Sequence, residues 1–247
     1  IVDITSPQTQ LSSTGPKYDN YITSNTLFSL NATDYGVIPS GVKSTFYSIN
    51  KQAWNVYTQA FNISGVDGIY TIDYQSVDNV ENCEEIKSTI VKLDNTAPIS
   101  SLTMVNGKQY TSPDGRLYAS VDTGYVLSSY DPIVNEVASG LSRIEYRIDS
   151  GEFGAYITTI TLTEGVHTIE YRGIDNLGNI EQIKRFKVYV DATAPVSKLT
   201  IDGMQYIDTT GKIYIRPDTK LILTTEDPIV DEVASGVKEL KYSIDGT

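Results

Sequence analysis

The residues with the most chemical promise carry oxygen and come in repeated phrases. The stretch DPIVNEVASG, Asp131 to Gly140, returns as DPIVDEVASG at Asp227 to Gly236, with Asn135 changed to Asp231. Two more segments of the same copy are rich in carboxylates and amides: the linker pair Asp94 and Asn95, and the phrase DNLGN from Asp175 to Asn179. Calcium takes roughly six to eight oxygens at about 2.3–2.6 Å, from carboxylates, side-chain amides and backbone carbonyls. Asp94, Asn95, Asp131, Asn135, Glu136, Asp175, Asn176 and Asn179 are therefore the candidate calcium ligands, provided the fold gathers them. The same residue types also close turns by accepting from nearby backbone N–H groups, with no ion. A metal-free junction without any cofactor and a calcium site both stay open.

Other chemistry has little to work with. His167 is the only histidine and Cys83 the only cysteine, which leaves few candidates for a histidine-based triad or a zinc cluster. Tyr70 stands where His167 stands one copy later, and an aromatic-for-imidazole exchange is what a packing position looks like. No glycine-rich phosphate loop occurs. The 31 acidic residues offer carboxylate pairs, but they sit mostly at repeated loop positions, and an active site rarely appears once per repeat. The chain is expected not to be an enzyme.

A net charge of −12 argues against nucleic acid as a partner, because binding the phosphate backbone needs a basic surface. No run of apolar residues reaches the length of a membrane helix, about 20 residues, so no membrane insertion is expected in this segment. The 18 tyrosines and Trp54 could stack on sugars. However, Trp54 aligns with Phe153 and Tyr57 with Tyr156, and aromatics recurring at one strand position usually fill a core or cover an edge. Exposure of Trp54 separates the two readings.

The positions of all these residues are set by a repeat. VDITSP, LDNTAP and VDATAP open at Val2, Leu93 and Val190, and the acidic loop recurs with them. Copy one has a shorter loop, DYGVIPSG, Asp34 to Gly41. DGIYTIDYQSVDNVEN, Asp67 to Asn82, matches EGVHTIEYRGIDNLGN, Glu164 to Asn179, except that Glu81 replaces the glycine of DNLGN. The domains are set at 1–93, 94–190 and 191–247, the third incomplete.

Within each copy, apolar and polar residues alternate. Ile144, Tyr146 and Ile148 interleave with Arg143, Glu145 and Arg147, and Leu240, Tyr242 and Ile244 with Glu239, Lys241 and Ser243. A period of two marks half-buried strands. About seven such strands per copy, broken by Gly, Pro and Asp turns, predict an all-β fold of antiparallel two-sheet sandwiches joined by short proline-stiffened linkers.

SGLSRIEYRID, EGVHTIEYRGIDNLGN and VDATAP together resemble the tandem bacterial immunoglobulin-like repeats of large surface and secreted proteins. The resemblance covers the whole chain. It implies immunoglobulin-like sandwiches, an extracellular or cell-surface setting, and service as a spacer, stalk or adhesin segment; calcium is bound at domain junctions by some members and not by others. In that topology the linker, the acidic loop and DNLGN meet at the end where the chain enters a domain. Ile133, Val134 and Val137 are expected to plug that end.

The function read from the sequence is a structural spacer of an extracellular bacterial protein or fibre, setting reach and stiffness. Its partners are the neighbouring repeats, with self-association into fibres as a variant. The alternatives are an adhesin segment binding a glycan or protein, and a non-catalytic module attached to a secreted enzyme.

Overall fold

The computed structural model describes residues 2–244, so the outer limits at residues 1 and 247, and the end of the third YSIDG phrase, fall outside the description. Regular structure among the described residues is entirely β-strand, arranged as sandwiches. In the first copy, Gln8–Thr14, Leu27–Thr33 and Phe61–Asn62 form a three-stranded sheet. A six-stranded sheet faces it, in the spatial order Lys17–Tyr18, Tyr21–Ile22, Lys87–Leu93, Gly68–Asp78, Val42–Ile49, Asn55–Val56. The second copy builds the same pair. Ile99–Val105, Gly124–Tyr130 and Ile160–Thr161 make the small sheet, and Leu141–Ile148, Gly165–Asp175 and Lys184–Asp191 are the long strands of the large one.

Alternation sends one face of each strand into a separate core. Ile22, Phe28, Leu30, Ile63, Ile72, Val91 and Leu93 are buried together in the first copy. Tyr125, Leu127, Ile160, Ile169, Tyr171, Val188 and Val190 are buried together in the second. Each fully buried large apolar side chain contributes roughly 1.5–3 kcal/mol from leaving water.

The structure departs from the sequence reading in three places. Nine strands rather than seven lie between Gln8 and Leu93, because short stubs pair at the sheet edges. One pairing per copy is parallel: Tyr21–Ile22 beside Lys92 and Leu93, and Tyr118 to Ser120 beside Tyr189 to Asp191. These stubs occur where the chain leaves the small sheet and meets the last strand of the large one running the same way. Third, the strand expected around Leu240, Tyr242 and Ile244 is not formed. Its counterpart Leu141–Ile148 is held by the ladder to Gly165–Asp175, and no counterpart of that strand exists among the described residues of the third copy.

The third copy does form the hairpin Val196–Asp202 with Lys220–Glu226 and a smaller one, Gln205–Ile207 with Ile213–Ile215. Leu199, Leu221, Ile222 and Leu223 stay exposed there.

Candidate functional site

The site lies where the second copy is entered. Asp94 follows the last strand of the first copy, Asp131 follows Gly124–Tyr130, and Asp175 ends Gly165–Asp175. One carboxylate oxygen from each lies within 4.8 Å of the others. Asp94 and Asp175 are 0% and 2% exposed.

Backbone N–H groups occupy most of these oxygens. Asp94 Oδ1 accepts from Thr96 N at 3.1 Å and Oδ2 from Ser139 N at 2.6 Å. Asp175 Oδ1 accepts from Leu177 N and Asn179 N at 2.9 and 2.7 Å, and Oδ2 from Asn179 Nδ2 at 2.7 Å. Asp131 Oδ2 accepts from Gly140 N at 2.7 Å, closing the acidic loop on itself. Asp131 Oδ1 is buried without a hydrogen-bond partner. Burial, then the charges of Asp94, Asp175 and Asp67, push the Asp131 carboxyl up to about 6 against the pull of the Gly140 N–H.

The remaining candidates lie around this cluster with other tasks. Asn179 also donates to the Asp94 carbonyl at 3.1 Å, and Asn176 to the Ser139 carbonyl at 2.9 Å. Asn95 accepts from Ser24 N at 2.8 Å, facing back to the first copy. Asn135 donates from Nδ2 to the Asp67 carbonyl at 2.8 Å, a bond between copies. Glu136 is exposed with φ 66° and makes the bend. Of the expected plug, Val137 alone is fully buried, while Ile133 is exposed, because Val134 and Val137 pair with each other across the tight turn and leave Ile133 outside.

Sequence reasoning missed Asp67. This residue is 7% exposed and gathers the linker: Asn95 N donates to its Oδ1 at 2.9 Å and Thr96 Oγ1 to its Oδ2 at 2.5 Å. A signal existed, since Asp67-Gly68 recurs as Glu164-Gly165, where Thr193 Oγ1 donates to Glu164 Oε1 at 2.7 Å.

The clasp is built fully in the first two copies and in part in the third, which has no counterpart of Asp175 among the described residues. In the first copy Asp3, Asp34 and Asp78 come together. Ser40 N donates to Asp3 and Gly41 N to Asp34, both at 2.7 Å. In the third, Ser235 N donates to Asp191 at 2.7 Å and Gly236 N to Asp227 at 2.6 Å. Oδ1 of Asp34 and of Asp227 is again buried and unpartnered. The Glu81 substitution does not break the loop: Glu81 takes φ 70° where Gly178 takes 88°, and Asn82 repeats the bonds of Asn179.

Two aromatic positions complete the picture. Trp54 is 41% exposed. Its counterpart Phe153 lies under two guanidinium groups, 4.6 Å from Arg147 and 4.5 Å from Arg172.

No protein-family model matches the chain, and no curated protein matches it significantly. Among solved structures it is similar to the fibronectin(III)-like modules of Clostridium thermocellum CbhA, at 17% identity and a TM-score of 0.39 over 74% of this chain and 95% of that one. It is also similar to a tetra-tandem repeat in the extending region of a large adhesion protein. There the identity is 16% and the TM-score 0.28, over 98% of this chain and 68% of that chain.

Proposed function

We propose that this chain is a spacer of an extracellular protein, a row of sandwiches whose joints are clasped so that the row keeps its reach. The observation that carries the reading is the linker carboxylate Asp94, wholly buried and bonded to Ser139 of the second copy. Asp67 holds Asn95 and Thr96 on the other side, so the linker has little freedom left. The role is non-catalytic, and its partners are the neighbouring repeats, with end-to-end association into fibres as its extension. Spin labels placed in the first and second copies test it by pulsed dipolar spectroscopy. A single narrow distance is expected, widening in Asp67→Ala; a broad distribution in the unaltered chain would sink the reading.

Calcium at Asp94, Asp131 and Asp175 is part of this proposal. The buried, unpartnered Asp131 Oδ1 supports it, since an oxygen with no donor is one a cation can take. Bound calcium would offset most of the charge of three converging carboxylates and stiffen the joint. Melts with added calcium and with chelator decide the matter. A ligand held only by the folded state must raise apparent stability, so equal midpoints would end the idea.

Exposure of Trp54 favours a second reading, an adhesin segment that stacks a sugar ring on the indole. Glycan-array binding that disappears in Trp54→Ala supports it, and an array without signal removes it.

A further inference from the structure

Four of the chain's six arginines meet on one face of one sheet. Arg143 and Arg147 stand on Leu141–Ile148, Arg172 on Gly165–Asp175 and Arg185 on Lys184–Asp191, the neighbouring long strands of the second copy's large sheet. Ile144, Tyr146 and Ile148 alternate with the first two and pack on the core, so the arginines take the outer face. The ladder sets Arg147 and Arg185 on either side of Glu170, and Arg172 opposite Glu145. Glu170 bonds Arg147 and, at 2.5 Å, Arg185. Glu145 meets Arg143 at 2.8 Å and Arg172 at 2.9 Å.

The charges do not balance. Four guanidiniums share two carboxylates, and Lys187, opposite Thr168 on the same face, adds a further cation. The guanidiniums carry about 20 N–H donors and the carboxylates about eight acceptor sites, so most of the donors are left over. The side chains of Glu145 and Glu170 are 15% and 7% exposed, against 48% and 67% for Arg143 and Arg185. The face that meets solvent is therefore cationic, on a chain of net charge −12. Arg147 and Arg172 both lie over the Phe153 ring, which holds these two planar groups in place before anything binds.

The fold does not require such a face. In the same register of the first copy, Ser44, Ser48, Gln75 and Ser88 hold the four arginine positions, and Phe46 and Asp73 hold those of the two glutamates. Beside the arginines lies a shallow hollow lined by Arg147, Asp149, Ser150, Thr168 and Glu170, where hydroxyls and carboxylates stand together. A polymer that carries both carboxylates and hydroxyls fits the two parts at once. Its carboxylates match the planar guanidinium forks, and its hydroxyls find donors and acceptors in the hollow. A phosphate polymer would find no free aromatic face for its bases, because the Phe153 ring is already covered. We infer that the outer face of the second copy binds an acidic polysaccharide of the uronic-acid class, laid across the strands.

The test is calorimetric titration of the whole chain with polygalacturonate at low salt, with dextran and polyaspartate alongside. Polygalacturonate is expected to bind, more weakly as salt is added, because exposed charges are screened. Dextran should not bind, and polyaspartate should bind about tenfold more weakly, lacking groups for the hollow. Arg143→Ser with Arg185→Ser, the first copy's residues at the two most exposed positions, should weaken polygalacturonate about tenfold. Lys187→Gln touches neither carboxylate and should weaken it about threefold, which keeps the test open if the double variant fails to fold. No binding of polygalacturonate overturns the inference, as does binding that both variants leave unchanged. Equal binding of dextran removes the role of charge, and equal binding of polyaspartate assigns the face to an acidic protein instead. The spacer reading is separate, since it stands or falls on the distance between copies.

Discussion

The first and second copies share a backbone plan and stabilise it by different means. On the open side of the second sandwich, Met104 and Phe186 pack onto the core, with Phe186 6.1 Å from Tyr125. The register puts Ser13 and Thr89 in their places in the first copy, which leaves a cleft of about 250 Å³ floored by Ile22, Phe28, Tyr74 and Val91. On the outer face of the large sheet, Glu170 of the second copy joins Arg147 and Arg185, while Glu145 joins Arg143 and Arg172. The first copy has Asp73 bonded to Ser88 at the position of Glu170 and Arg185. One fold therefore tolerates a dry edge or a cleft, and a lattice of ions or a pair of small polar groups. The second copy should be the more stable.

The largest effect should come from making the second copy resemble the first. Phe186→Thr with Met104→Ser should cost about 3 kcal/mol, a large-to-small change at a packed site. Chemical denaturation with Trp54 as reporter separates the copies, since the only tryptophan lies in the first. The loss should leave the Trp54 transition in place and move the other. If both transitions move together, the copies do not unfold as separate units and the comparison fails.

Next is Glu170→Gln, which leaves Arg147 and Arg185 without their shared, buried carboxylate. Stability should fall, because a charge-assisted pair loses its acceptor charge. The change Asp73→Asn should cost less, and an equal loss would mean that the lattice adds nothing.

Asp131→Asn should stabilise the chain in chelator. The folded Asp131 carboxyl sits at about 6, above the ordinary value for aspartate, so its contribution is fully present in acid and lost as pH rises through that point. An amide needs no proton, so the gain at neutral pH should reach about 1 kcal/mol, limited by partial solvent screening, and vanish near pH 4. The same variant should lose any calcium response. Equal midpoints for parent and variant at neutral pH would show that the unpartnered oxygen costs nothing.

The smallest effect is Glu81→Gly. It relieves a left-handed backbone conformation and gives up only the exposed pairing with Lys43, for a net gain of about 0.5 kcal/mol seen at Trp54. No gain would mean that the backbone of the first copy's loop is not strained.

Much of this architecture was legible in the residues. Alternation in SRIEYRID and HTIEYRG specified strands, because a half-buried strand must repeat every second residue. The repeated Asp, Ser-Gly and Asn positions marked the clasp, and the three aspartates do converge. Which oxygens hold which amides was not legible, since turn geometry decides whether Asn135 points into its own cluster or toward Asp67. Asp67 recurs as Glu164, but its hold on the linker comes from three-dimensional proximity that the recurrence alone does not specify. The missing strand near Tyr242 shows the other limit: a period of two gives a side-chain face, while the ladder that makes a strand depends on a partner.

The parallel stubs at each sheet edge decide how a copy would bear load. They lie beside the last strand and point the same way, so a pull on the two ends of a copy, once it has passed the first strand, slides the stub along the last strand. The bridging hydrogen bonds are then stretched together, in shear, rather than opened one by one. The second copy has three residue pairs in this contact, Tyr118 to Ser120 against Tyr189 to Asp191, and the first has two, at Tyr21 and Ile22. In a pulling experiment the first copy should give way at the lower force and the second should hold longer.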